Sequence, residues 1–224
     1  MGNSIVEKAR KDGAEFLSEA ESKELLAEFG VPIGKQLLTR SVDEAAAFAG
    51  DAGYPLVLKG CGRTILHKTE MGLVEIGVRD EEDLRERFAA LEGRLPKDAD
   101  GVLIAPMADS RREFIAGLSV DEQFGPVVMF GLGGIFTEAL RDVVFRVAPI
   151  TKVDAQEMLE GIKSAKLLDE IRGMPAVDRD ALCDILVAVG EIGTQIEGVT
   201  EIDINPILID NGKPVAADAL VKVG

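Results

Sequence analysis

The chain has 224 residues, 46% of them hydrophobic, a size and composition that suit one large soluble domain or two small ones around a buried core. A formal net charge of −15 repels nucleic acid and anionic membrane surfaces, and the absence of Trp removes a common stacking platform for single strands, so neither partner is expected. No apolar run is long enough to span a bilayer, "MGNSIVEKAR" has no secretory core, and Cys61 and Cys183 share no metal or redox spacing; a cytoplasmic protein without disulfides is expected.

In chain order, "LSEAESKELLAEFGVP" predicts a helix with Ser18 as N-cap, Glu21 completing a capping box, Gly30 as the left-handed stop and Pro32 barring continuation. "SVDEAAAFAGDAGYP" repeats that grammar with Ser41 and Glu44, and "YPLVLKG" after it is a short apolar strand carrying Lys59. "GLVEIGV" alternates as a strand, "DEEDLRERFAALEG" has helical period, and "GVLIAPM" is a buried strand, so residues 21–100 form a compact α/β module. Beyond it come strand-like "REFIAGLSV" and "PVVMFGLGG", an ambiguous "IFTEAL", the alternating "DVVFRVAP", helices near 152–163 and 178–196, and a final pair of strands. Strands that follow one another without intervening helices argue for an α+β protein of two lobes over a doubly wound parallel sheet.

The stretch "EIDINPILIDNGKPVAADAL", residues 201–220, allows geometry to be worked out directly. Glu201, Asp203 and Asn205 fall on one strand face while Ile202 and Ile204 fall on the other. Asn211-Gly212 is the preferred pair for a two-residue type I′ turn, which sets Asp210 opposite Lys213; the same register, continued, brings Asn205 opposite Asp218. Such cross-strand neighbours have β-carbons about 4.5 to 5.5 Å apart. An amide carbonyl and a carboxylate at that separation, with Asp203 and Glu201 along the same face, suit a hard oxygen-seeking cation such as Mg²⁺; an ordinary solvated strand face is the alternative. Pro206 lacks an N–H, so the strand is expected to lie at an edge or to bulge there.

Lys59 ends an apolar strand just before Gly60 and Gly62, where a bare backbone can approach phosphate oxygens; a snorkelling surface lysine is the plainer reading. The "GLGG" loop at 131–134 follows a strand but is neither a Walker A sequence nor G-x-G-x-x-G. His67, the one histidine of the chain, sits in the polar loop "TILHKTEMG". A hydrogen-bonded turn residue is one reading. The other is a nucleophile: imidazole titrates near neutrality, and its unprotonated nitrogen can accept a phosphoryl group.

Taken together, "YPLVLKGCGRTILHKTEMGLVEIGV", "REFIAGLSVDEQFGPVVMFGLGGIFTEALRDVVFRVAPI" and "EIDINPILIDNGKPVAADAL" resemble the ATP-grasp β subunit of ADP-forming acetyl-CoA synthetase, within the NDP-forming acyl-CoA synthetases and related to the succinyl-CoA synthetase β subunit. The resemblance implies an ATP-grasp fold: a lid lobe over 21–100, a larger lobe from 1–20 and 101–224, and nucleotide bound between them. It further implies that Lys59 grips nucleotide phosphates, that the strand ending Ala105, Pro106, Met107 lies along the adenine, and that Glu113 sits near the nucleotide. Gly131, Gly133 and Gly134, through their amides, and Arg146 are candidate further phosphate contacts. Asn205 and Asp218 match the family's metal ligands, and His67 its phosphoryl-accepting histidine. The implied reaction runs between acyl-CoA, ADP and phosphate and acid, ATP and CoA, with ATP/ADP as substrate and Mg²⁺ as cofactor. The implied partner is an α subunit carrying the CoA-binding domain and a second phosphorylatable histidine, in an α2β2 heterotetramer. This sequence departs from the family at Gly72-Leu73, where a second glycine is usual, and at Leu220, where a basic residue is frequent. Two other functions remain: an ATP-sensing module without chemistry, and a self-sufficient ATP-grasp ligase.

Overall fold

In a computed structural model, residues 2–108, 110–134 and 141–224 are described. The segment "IFTEAL" at 135–140 lies outside the described residues. The chain divides into two units, one of Met1–Leu17, Glu21–Ile33 and Asp109–Gly224, the other of Ser18–Ala20 and Gly34–Ala108.

The larger unit is built on a six-stranded sheet in the order β10-β8-β5-β6-β7, with β9 also paired to β8. Its strands are β5 (Glu113–Asp121), β6 (Gly125–Leu132), β7 (Val143–Val147), β8 (Val199–Asp210), β9 (Lys213–Ala216) and β10 (Ala219–Val223), all paired antiparallel. Alternation puts Phe114, Ala116, Leu118, Val128, Phe130, Ile202 and Ile204 in one buried cluster, where Phe114 and Phe130 stack at 5.6 Å. Helices α1 (Gly2–Lys11), α2 (Glu19–Glu28), α5 (Lys152–Gly161) and α6 (Arg179–Gln195) add apolar residues to that core. In α6 the apolar residues Leu182, Ile185, Leu186, Val189 and Ile192 recur at helical spacing and are buried, and the Asp178 carboxylate caps its first turn by accepting from the Ala181 N–H at 3.0 Å.

The smaller unit has a four-stranded antiparallel sheet in the order β1-β4-β2-β3, from β1 (Leu37–Thr39), β4 (Gly101–Pro106), β2 (Leu56–Cys61) and β3 (Val74–Val78). Its core joins Leu56, Leu58, Val102 and Ile104 of the sheet to Ala45 and Ala49 of α3 (Val42–Ala52) and to Leu84, Phe88 and Leu91 of α4 (Glu81–Glu92). Ser41 caps α3 by accepting from the Glu44 N–H at 3.4 Å, but the Glu44 carboxylate takes the Thr39 hydroxyl, so only half of the expected capping box forms.

The division falls elsewhere than at 21 and 100. Leu25 and Leu26 of α2 are fully buried in the core of the larger unit, which draws residues 21–33 into it. At the other end β4 pairs with both β1 and β2, carrying the smaller unit to Ala108. Helix α1 and the three-residue β1 had no clear signal in the sequence; α1 is held by burial of Val6 and Ala9. Among the described residues no helix is long and apolar enough to cross a membrane.

Candidate functional site

The C-terminal hairpin folds in the register that its turn dictates. Asn211 and Gly212 both have positive φ, 47° and 85°, as a type I′ turn requires, and Asp210 pairs with Lys213 and Ile207 with Ala216. The return strand is interrupted at Ala217 and Asp218 without a slip: the Asn205 N–H donates to the Asp218 carbonyl at 3.2 Å, and beyond it Ala219 faces Ile204 and Leu220 faces Asp203. Asn205 therefore lies opposite Asp218. Strand β8 is flanked by β10 and β5, so it is not an edge; the irregularity expected at Pro206 takes the form of a register shift against β5 between Phe114 and Ala116.

Ile202 and Ile204 are buried, while Glu201 and Asn205 are exposed and Asp203 is half-buried on the opposite face. Burial, then the charges of Asp218 and Glu201, push the Asp203 carboxyl above its ordinary pKa. A face whose carboxylates repel one another in this way is suited to a cation. Among the described residues no three His, Cys, Asp or Glu side chains form a closed metal cage. An open-sided set of one amide oxygen and one or two carboxylates matches Mg²⁺, which completes its octahedron with water and phosphate oxygens. Leu220 places hydrocarbon directly across from Asp203.

Glu113 and the glycine loop meet in the same unit. The Gly133 N–H donates to the Glu113 carbonyl at 2.8 Å, and a β-carbon on Gly134, whose φ is +72°, would stand 2.9 Å from Glu113 Oε2. A β-carbon on Gly131 would lie 2.6 Å from the Asp142 carbonyl, and one on Gly133 2.9 Å from the Glu113 backbone. Close strand packing thus accounts for two of the three glycines, and the Gly133 amide is committed to Glu113 rather than presented to a phosphate. Arg146 is not brought to this group. It pairs across β7 and β6 with Val128, whose side chain is in the core, so it shares the helix-covered face and forms an ion pair with Glu157 of α5 at 3.3 Å, whereas Asp203 is on the other face.

In the smaller unit Lys59 lies on β2, opposite Val74 on one side and Leu103 on the other. Its ammonium is 2.8 Å from Glu19 Oε1, and Lys68 Nζ is 2.7 Å from Glu19 Oε2. The Glu19 side chain is 2% exposed. Neither Glu19 nor Lys68 stood out in the sequence; the one signal was that Lys68 adjoins His67. The His67 side chain is exposed, on a loop closed by the Met71 N–H to the His67 carbonyl at 3.0 Å and the Leu73 N–H to the Lys68 carbonyl at 2.8 Å. Leu73 at the family departure is a buried core residue, reached through Gly72 at φ +66°. Ala105 and Pro106 end β4, and the Met107 N–H after them donates to the Pro55 carbonyl at 2.9 Å. Burial raises the pKa of the Cys61 thiol, which leaves it a small hydrophobe.

The ATP-grasp domain family matches residues 8–223. The chain is 44% identical to the β subunit of acetate–CoA ligase [ADP-forming] I of Pyrococcus furiosus, over 96% of this chain and 94% of that one. It is 38% identical to acetate–CoA ligase [ADP-forming] I of Archaeoglobus fulgidus, a longer protein of which it spans 33%. Among solved structures, the dinucleotide-forming acetyl-coenzyme A synthetase 1 of Ca. Korarchaeum cryptofilum, in complex with coenzyme A and Ca-AMPCP, superposes with a TM-score of 0.93 at 36% identity, each chain covered over 100% of its length. A second complex of that enzyme, with coenzyme A and Mg-AMPPCP and a phosphohistidine segment pointing towards the nucleotide-binding site, matches with a TM-score of 0.87. With a family match across nearly all its residues and a relative at 44% identity of which it covers 94%, the chain belongs to the ATP-grasp family, among the β subunits of ADP-forming acyl-CoA ligases.

Proposed function

We propose that this chain is the nucleotide-binding β subunit of an ADP-forming acyl-CoA synthetase, an acid–thiol ligase, and that His67 relays a phosphoryl group to ADP. The observation that carries the reading is the exposed, solitary His67 on a loop whose next residue shares a buried carboxylate with Lys59. The phosphohistidine segment and nucleotide analogues of the Korarchaeum enzyme support it.

In the ATP-forming direction an unprotonated His67 nitrogen takes the phosphoryl group from a phosphohistidine of the partner; the partner's N–P bond breaks as the new one forms. A β-phosphate oxygen of ADP then attacks that phosphorus, the His67 N–P bond breaks, and neutral imidazole leaves. Lys59 holds the nucleotide phosphates, Ala105, Pro106 and Met107 line the base, Glu113 lies near the nucleotide, and Gly134 is a further phosphate contact. Asn205 and Asp218, with Asp203 on the same strand face, would hold the Mg²⁺, whose charge offsets that spreading over the transferring group. The acid and the CoA thioester are handled by an α subunit, in an α2β2 assembly working in the cytoplasm, where CoA and nucleotides are abundant.

The test is incubation of the chain and its α partner with γ-labelled ATP and Mg²⁺. Acid-labile, base-stable label should appear on this chain and be missing from His67→Ala. Label that persists in the variant, or a wild-type chain that never acquires it, would overturn the reading.

A further inference from the structure

Glu19, Lys23, Arg112 and Asp142 are the charged residues that are buried among those described, and Glu19 adjoins both Lys59 and the loop that carries His67. We propose that Glu19 is a positioning residue that fixes the phosphate-gripping ammonium of Lys59 and the His67 loop to a single point. The inference rests on the reading of Lys59 and His67 given above.

The carboxylate is shared evenly. Oε1 takes Lys59 at 2.8 Å and Oε2 takes Lys68 at 2.7 Å. Two ammonium groups drawn within reach of one carboxylate would repel each other without it, and a buried carboxylate would in turn be costly without them. The trio carries a net positive charge, which favours a later phosphate. Lysine side chains have four rotatable bonds whose ordering opposes binding; the pairs with Glu19 order both before nucleotide arrives. Glu19 is itself anchored, as the first residue of α2, where the helix dipole favours a negative charge. Lys68 follows His67 directly, and its carbonyl accepts the Leu73 N–H that closes the loop, so holding Lys68 restrains the backbone that carries the imidazole.

The decisive variants are Glu19→Gln, nearly isosteric but uncharged, and Lys68→Met, which keeps the Lys59 pair and releases the loop. In the complex with the α subunit, E19Q should raise KM for ADP and weaken ADP binding by about tenfold, the equivalent of one charged contact, and slow labelling of His67. KM for the acyl-CoA should stay at the wild-type value. A merely structural loss would lower the active fraction and leave each KM unchanged. Lys68→Met should slow His67 labelling while changing ADP affinity less than twofold; it carries the test if E19Q does not fold. Wild-type ADP affinity and labelling rate in E19Q, or wild-type labelling in Lys68→Met, would sink the inference. If wild-type chain binds ADP but is never labelled, the phosphohistidine reading fails on its own, and the Glu19 inference is then decided by ADP affinity in E19Q alone.

Discussion

Replacing Arg112 by alanine should destabilise the larger unit by about 3 to 5 kcal/mol, somewhat less than the sum of three charge-assisted hydrogen bonds to backbone carbonyls. The residue is 5% exposed, and its guanidinium makes three bonds to backbone carbonyls: Nη1 to Leu167 at 3.1 Å and to Asp169 at 3.2 Å, Nη2 to Pro175 at 2.6 Å. Each charge-assisted bond is worth about 1.5 to 3 kcal/mol when lost, but the three are not additive, because part of the 167–175 segment can relax into water. The backbone contacts of Arg112, its carbonyl accepting from the Ser110 hydroxyl at 2.8 Å and from the Ile209 N–H at 3.2 Å, survive in the variant, so the loss is confined to the side chain. For a chain of this size the melting temperature should fall by about 6 to 20 °C. Urea denaturation at neutral pH followed by far-ultraviolet circular dichroism gives the free energy. Arg112→Lys should recover less than half of it, since a single ammonium nitrogen cannot span three carbonyls as the guanidinium fork does. An alanine variant within about 1 kcal/mol of wild type, or a lysine variant equal to wild type, would refute the assignment of that segment's anchorage to this side chain.

Gly131→Ala should cost about 1 to 3 kcal/mol in the same assay, because the added β-carbon would sit 2.6 Å from the Asp142 carbonyl, a backbone atom just before the neighbouring strand. Asp142 supplies a pH signature. Burial acts to raise its pKa, but the Ser164 hydroxyl, the N–H groups of Lys163 and Ser164 at 2.6 and 2.7 Å, and the Lys163 charge together outweigh burial and hold the carboxyl below its ordinary value. A depressed folded-state pKa stabilises the fold above the unfolded value of about 3.9 and ceases to as pH falls through the folded one. The stability gap between wild type and Asp142→Asn should therefore be widest near neutrality and close in acid; a gap independent of pH would contradict this. Asp218→Asn should raise the Mg²⁺ concentration needed for half-maximal His67 labelling by about tenfold or more, read from a metal titration of the complex. Cys61 and Cys183, 1% and 5% exposed with thiols shifted upward by burial, should stay unmodified by Ellman's reagent at neutral pH until guanidinium unfolds the chain.

Local signals were sufficient for the terminal hairpin and for the end of α2. Asn211-Gly212 and the alternation before it determined the hairpin, and with it the pairing of Asn205 with Asp218 across an interruption that could have shifted it. The same holds for Gly30 at the end of α2, which adopts φ +86° as its place after a helical run demands. Long-range packing decided the remainder. The "GLGG" glycines read as an open loop for phosphate, yet two of them answer to the backbones of adjoining strands, contacts that no window of a few residues contains.

What the sequence determined by itself is the order of the elements after α1 and β1 in their main outline, the turn-set register of the terminal hairpin, and three motifs specific enough to carry the family. Each follows from hydrophobic period, turn chemistry or residue identity, which act over a few positions. Tertiary structure alone decided that Glu19 bridges Lys59 and Lys68, 40 and 49 positions away, that Arg146 belongs to the helix-covered face, and that most of α2 packs with the larger unit. Those outcomes turn on which distant side chains bury one another, and the free energy of burial is a property of the assembled core, not of any segment within it.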